Sequence, residues 1–139
     1  MNETWIKRML LASAAWNITG AATSLADPAQ HFSQMYIMTP AADDALLMFF
    51  YRCTWINVLA WGLAYLLAAL WPQSRKAVLT AGAAGKAAYF VACAALFSTD
   101  VGRPLVLVFG LGDLLMAALF VWALLSQGRR ERHGAWAAA

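Results

Sequence analysis

Apolar residues occupy four long stretches of the chain, and polar residues are concentrated between them. The stretches run over residues 9–26, 45–71, 77–97 and 105–125. Each is close to the roughly 20 residues with which a helix crosses about 30 Å of hydrocarbon. No stretch alternates apolar and polar residues with period two, and open strand edges cannot face lipid, so the pattern predicts membrane-spanning helices.

Proline and capping residues set the predicted helix limits. We predict an all-α, up-down four-helix bundle that forms a single transmembrane domain, because the turns "PQSRK" and "STDVGRP" are short enough to make neighbouring helices antiparallel. A cap at Thr39, followed by Pro40, predicts an early start for the second helix. The predicted spans cover about 5–26, 40–71, 76–98 and 104–126, with a basic tail over 127–139.

The longest connection contains a further short helix, predicted over about 28–38. Asp27 is its expected cap and Pro28 lies in its first turn. Phe32, Met35 and Tyr36 share one face, which favours a position flat against the outer membrane surface.

The first apolar stretch has a second interpretation. Lys7 and Arg8 precede it, and it ends in Ser24-Leu25-Ala26, which also suits a cleaved signal peptide. We expect it to be retained as the first helix.

Composition and charge agree with a membrane protein. Of 139 residues, 63% are hydrophobic and only 12% are charged, which leaves little for a soluble domain. The net charge of +3 does not indicate nucleic-acid binding, because the basic residues gather at the N-terminus, the second loop and the C-terminus, whereas the other two loops contain only Arg103. This positive-inside pattern predicts that both termini are cytoplasmic. The residues that define it are Lys7, Arg8, Arg75, Lys76, Arg129, Arg130 and Arg132.

Two opposite charges interrupt the last two apolar stretches. Lys86 lies roughly 14 Å from the inner end of its helix, and Asp113 roughly 12 Å from the outer end of the next. A lone charge at the bilayer centre costs about 2.5–3.5 kcal/mol on insertion scales, and pairing reduces that cost. We therefore expect Lys86 and Asp113 to meet inside the bundle.

Arg52 adds a second cation at the expected depth of Asp113. Four arrangements would balance the charge: Lys86 is neutral, Arg52 reaches outward to the headgroups, an outer aspartate such as Asp43 or Asp100 folds inward, or an anionic ligand enters. Arg52 itself stays protonated.

Further polar residues at a similar depth extend the predicted site. Asn17 and Asn57 place a carboxamide on each of the first two helices, and Tyr89 and Trp55 are candidates for the wall of a pocket. Glycines on the last two helices permit close approach of the backbones. The same residues also suit a purely structural polar network that fixes helix register, and both interpretations stay open. The predicted ligand-binding residues are Lys86, Asp113, Arg52, Asn17, Asn57, Tyr89 and Trp55.

Other chemistry is not indicated. Cys53 and Cys93 lack metal-site spacing and lie in apolar helices, and the topology puts His31 and His133 on opposite sides of the membrane. We therefore predict no metal, no cofactor and no catalytic residues.

The pairs Gly85-Lys86 and Gly112-Asp113 resemble those of small bacterial four-helix membrane proteins of unassigned function. The resemblance implies the bundle and the Lys86–Asp113 pair, and no activity.

We expect a bacterial inner-membrane protein that binds or translocates a small amphipathic or anionic ligand, with a lipid as one example. Its expected partners are membrane lipids, that ligand, and either a second copy or another membrane protein; nucleic acid is not among them. The alternative is a non-catalytic accessory or assembly subunit of a larger membrane complex. A third hypothesis is an intramembrane enzyme that uses Lys86 or Asp113 for proton transfer.

Overall fold

The computed structural model describes residues 2–37 and 44–137, with side chains up to residue 128. The described residues form five α-helices and one short 3₁₀ turn, Pro72–Ser74, so the all-α prediction is confirmed. The helices are α1 (Glu3–Ala26), α2 (Pro28–Met35), α3 (Ala45–Leu70), α4 (Arg75–Phe97) and α5 (Pro104–Ala137).

Capping residues explain most helix limits. Asn2 caps α1, and Asp27 caps α2 by accepting a hydrogen bond from the backbone N–H of Gln30. Asp44 caps α3 through the N–H of Leu47, so α3 begins at Ala45 and not near residue 40. The predicted cap at Thr39 and the first-turn Pro40 lie outside the described residues, as does Asp43.

The last helix is longer than predicted. We expected it to end near residue 126, yet α5 continues to Ala137. Arg and Glu are good helix formers, and no proline interrupts the segment, so the basic tail extends the helix.

Three helices are long and apolar enough to cross a membrane: Ala45–Leu70, Pro72–Phe97 and Pro104–Gly128. These limits include the 3₁₀ turn before α4 and stop α5 at Gly128. Helix α1, which contains Asn17 and several serines and threonines, is not among them.

The long helices pack as two pairs, α1 with α3 and α4 with α5. One hydrophobic core joins both pairs near the start of α1. It contains Leu10 of α1, Tyr65 of α3, Leu79 of α4 and Phe120 of α5, each at most 2% exposed. We call this half of the molecule the N-terminal end and the opposite half the α2 end.

Arg75 of α4 connects three helices at the N-terminal end. Its side chain is buried and donates hydrogen bonds to the carbonyls of Ala68 and Ala69 in the last turn of α3, and it forms an ion pair with Glu3 of α1. A cation at a helix C-terminus also interacts favourably with the helix dipole. A residue read from the sequence as a topology signal therefore also joins three helices.

Helix α2 bridges the two pairs at the other end. Phe32 stacks near Tyr51 of α3, with ring centroids 4.7 Å apart, and Met35 is buried with Val106 of α5. The segment after α2 pairs with the α4–α5 turn, because the N–H of Ile37 donates to the carbonyl of Val101. The predicted apolar face of α2 thus packs against protein.

Candidate functional site

Lys86 and Asp113 form an ion pair between α4 and α5. The Lys86 Nζ atom lies 2.6 Å from Asp113 Oδ1, and the two side chains are 5% and 13% exposed. The predicted meeting of these charges is confirmed. Lys86 is the middle residue of α4, and Asp113 lies near the middle of the apolar segment Pro104–Gly128, so the pair is remote from the ends of both segments.

Asn17 of α1 is the second partner of Lys86. Its Oδ1 accepts a hydrogen bond of 3.0 Å from Lys86 Nζ, and its Nδ2 donates to the backbone carbonyl of Val58 on α3 at 3.4 Å. The carboxamide therefore uses its acceptor on α4 and a donor on α3. Gly62 makes this possible, because a Cβ there would lie 3.2 Å from the Cβ of Asn17 and 2.7 Å from Ile18 Cγ1.

Trp16 is the residue that sequence reasoning missed. Its indole N–H donates to Asp113 Oδ1 at 3.1 Å. Lys86 donates to the same oxygen, so the two hydrogen bonds described for this carboxylate share Oδ1. Gly112 provides the space, since a Cβ at that position would lie 3.0 Å from the Trp16 ring. The sequence does contain a signal for this contact, because the indole N–H of a tryptophan in an apolar helix needs a hydrogen-bond acceptor.

Tyr65 closes the cluster on the N-terminal side. Lys86 Nζ lies 5.6 Å from the centroid of its ring, within the range of a cation–π contact. Tyr65 also fills the space over Gly82, where a Cβ would lie 2.7 Å from the tyrosine oxygen. Gly85, by contrast, has open space around it, so the glycine of the Gly85-Lys86 pair is not a packing requirement.

We call Trp16, Asn17, Tyr65, Lys86 and Asp113 the polar cluster. It draws on all four long helices, although α3 contributes a ring and a backbone carbonyl where the sequence predicted Asn57.

Packing between the helix pairs differs on the two sides of the polar cluster. At the N-terminal end, the shared core joins all four long helices. At the α2 end, the core cluster contains buried residues of α2, α4 and α5 only. Tyr89 reflects this difference: it is 37% exposed, although it lies between Lys86 and Cys93, each 4% exposed, on one face of α4.

The structure does not bring Arg52 or Asn57 to the polar cluster. Both side chains are exposed on α3, and neither forms a hydrogen bond or ion pair with the described residues. The expected placement of Arg52 beside Asp113 is therefore not observed, and of the four charge-balancing arrangements an outward Arg52 agrees best with its exposure. Asp100 is exposed in the turn between α4 and α5, with φ of 58°.

Trp55 lies partly exposed near α2. Its ring meets His31 edge to face, with centroids 4.8 Å apart, and it lies over Gly20 of α1. It is therefore part of the contact between α2 and α3 and not of the polar cluster.

The polar cluster can hold a charge pair away from water and present one carboxylate oxygen to a further donor. Among the residues whose side chains are described, no three His, Cys, Asp or Glu groups lie close enough to hold a metal ion. The cysteines are both free, Cys53 exposed and Cys93 buried.

Comparisons of the chain with protein families, curated proteins and solved structures find no match.

Proposed function

We propose that the chain is a four-helix bundle of a bacterial inner (plasma) membrane, with α1 as the fourth span and both termini in the cytoplasm. The distribution of Lys and Arg supports this orientation. In this arrangement α2 lies at the outer surface, and the polar cluster lies near the middle of the bilayer.

We propose further that this protein binds or helps to move a small amphipathic molecule, such as a lipid. The observation that carries this proposal is the exposure of Tyr89, one helical turn from the ion pair and on the same face of α4. An exposed side chain on an otherwise buried face indicates missing packing across from it. That space, which we call the crevice, would lie between the two helix pairs, below α2 and above Asn17 and Lys86.

The charges of the polar cluster decide what the crevice would accept. Lys86 is already paired with Asp113 and bonded to Asn17, so it is a poor partner for a further anion. Within the described part of the chain, Asp113 accepts through Oδ1 alone, which leaves Oδ2 for a hydroxyl or amine donor of a ligand. An anionic headgroup would instead find Arg52, which is exposed within two turns of the start of α3.

The test is to fill the crevice and measure what is retained. The protein is purified in mild detergent, and small molecules released from it are identified and counted by mass spectrometry. Tyr89→Trp should lower the retained amount by more than about tenfold, equivalent to ~1.4 kcal/mol. Val91→Trp, two residues away at a position 64% exposed, is the matched control and should retain the wild-type amount.

Equal retention in both variants, or no molecule enriched over bulk detergent and lipid, would contradict ligand binding. Thermal unfolding of each variant identifies a loss that comes from misfolding.

A second function is favoured by a separate observation. The ammonium group of Lys86 finds its partners within the chain, because it donates to both Asp113 and Asn17. This suits a structural network in an accessory subunit whose lipid-facing surface binds a larger membrane complex. A constant, stoichiometric protein partner in native purification would support the role as a subunit. Stable folding after the polar side chains of the cluster are replaced by apolar ones would support a purely structural network.

A further inference from the structure

One exposed face of α3 has the spacing of a helix-pairing surface. Its residues follow one another at intervals of four and three, the heptad repeat of a left-handed helix pair. All are exposed except Ala64, which is partly buried. We call this set the α3 stripe: Leu46, Phe50, Cys53, Asn57, Ala60, Ala64 and Leu67.

Asn57 is the unusual member of the α3 stripe. It lies in the middle of a helix that is long and apolar enough to span a membrane, and its exposed carboxamide forms no hydrogen bond with the described residues. Thr54, one turn away, satisfies its hydroxyl on the carbonyl of Phe50 in its own helix. An asparagine side chain is too short to reach the headgroups from the middle of the bilayer, so its polar atoms need partners at that depth.

Arg52 does not need the same solution. It lies five residues from Asn57, which places it about 140° away around the helix, and it is close enough to the end of α3 to reach the headgroups. The need for a hydrogen-bond partner at mid-membrane depth therefore concerns Asn57 on the α3 stripe and not Arg52.

We propose that the α3 stripe is the interface with a second copy of this chain. Two copies have the same orientation in a membrane, so a twofold axis along the membrane normal would bring the two Asn57 side chains to the same depth. A carboxamide both donates and accepts, and is therefore complementary to itself. A single asparagine in a heptad stripe fixes the register of such a pair, and the small Ala60 and Ala64 permit close approach.

Cys53 provides a direct readout, because it lies on the α3 stripe one turn from Asn57. The full-length protein is oxidised in lipid vesicles at a low protein-to-lipid ratio, and disulfide-linked dimer is measured on non-reducing gels. The wild type should give a dimer that disappears in Cys53→Ser and persists in Cys93→Ser, since Cys93 is buried inside one molecule.

The role of Asn57 is tested by substitution on the same background. Asn57→Leu should weaken dimerisation by about 5- to 30-fold, as expected for one interhelical polar contact in a membrane, and Asn57→Gln should retain most of it. Leu115→Ala, at a position 62% exposed on α5 and therefore away from the α3 stripe, should leave the dimer unchanged.

Three results would overturn the proposal: a monomeric wild type in vesicles, a dimer that Asn57→Leu leaves unchanged, or cross-linking of Cys53 to a different membrane protein in native membranes. Because Asn57 and Cys53 are exposed, substitutions at these two positions are not expected to impair folding of the single chain.

Discussion

Lys86 shows how one charged residue organises the interior of the molecule. Its ammonium group contacts a carboxylate on α5, a carboxamide on α1 and a ring on α3. In a nonpolar interior, each of these contacts compensates part of the lost hydration of the charge. The three contacts fix the rotation and the axial position of Lys86 relative to three other helices.

Removing one charge should therefore harm the protein more than removing both. Lys86→Met leaves the Asp113 carboxylate without its cation and should lower the free energy of unfolding by about 3–5 kcal/mol. The double variant Lys86→Met with Asp113→Leu removes the unpaired charge and should recover most of that loss. The measurement is unfolding in mixed micelles with increasing denaturing detergent. A double variant as unstable as the sum of the two single variants would contradict this account.

The position of each residue along its helix axis could be predicted from the sequence. The direction in which its side chain points around the helix could not. A rise of about 1.5 Å per residue places Lys86, Asp113, Asn17 and Asn57 at similar depths, which explains why the Lys86–Asp113 pair could be predicted. The direction of each side chain depends on which face the large residues occupy. In α3 the buried Tyr51 and Tyr65 define that face and leave Asn57 outside, a choice the composition of α3 does not reveal.

Helix α2 is the element whose position depends most on a few contacts. Tyr51 of α3 donates to the carbonyl of Ser24 at the end of α1, and the rings of Phe32 and His31 pack against it. Within the described residues, His31 Nδ1 is buried and has no hydrogen-bond partner. Burial lowers the pKa of His31 below its ordinary value, since the charged form loses hydration there.

This environment predicts a pH dependence for the contact between α2 and α3. A histidine whose pKa is lower in the folded state contributes stability above its unfolded pKa of about 6.5, and that stability is lost as the pH falls toward the lower folded value. The wild type should therefore unfold at a lower temperature at pH 5 than at pH 8. His31→Phe keeps a ring against Tyr51 and Trp55 but cannot titrate, so it should lose less stability over the same range.

Among the described residues, the groups that pack against His31 do not provide a compensating charge for its protonated form. Its ring faces Tyr51 and Trp55, and the closest carboxylate in sequence, Asp27, caps α2 one turn earlier. Equal pH dependence in the wild type and His31→Phe would show that other titratable groups control the stability of this region.

Helix limits were predictable to the extent that local chemistry sets them. Pro72 follows the end of α3 because proline cannot continue a hydrogen-bonded helix, and Pro104 is the first residue of α5 because proline fits the first turn, both as predicted. The start of α3 was misjudged because two capping sites compete, near Thr39 and at Asp44, and the sequence does not rank them. Helix α2 was predicted from its cap and proline, whereas the contact of Met35 with Val106 and that of Ile37 with Val101 depend on where the α4–α5 turn lies in space.

At the scale of the whole molecule, the surroundings of the polar cluster depend on whether α1 crosses the membrane beside the three more apolar helices. Trp16 and Asn17 come from α1, which is less apolar than the other long helices yet supplies two of the residues that surround Lys86 and Asp113. If α1 crosses the membrane, Trp16 and Asn17 cover the Lys86–Asp113 pair on the α1 side within the bilayer. The contact between Glu3 and Arg75 already places the start of α1 beside the start of α4.

Single cysteines at exposed positions measure this topology. On a background with Cys53 and Cys93 replaced by serine, Gln34→Cys on α2 should react with a membrane-impermeant thiol reagent in cells whose outer membrane has been permeabilised and whose inner membrane is intact. Gln73→Cys in the Pro72–Ser74 turn and Thr4→Cys at the start of α1 should react only after the inner membrane is also permeabilised. Because Gln34 and Gln73 are both exposed glutamines at opposite ends of the molecule, they form a matched pair. Labelling of Thr4→Cys together with Gln34→Cys before that second step would mean that α1 does not cross the membrane with the other helices, and the polar cluster could then not lie at mid-bilayer as proposed.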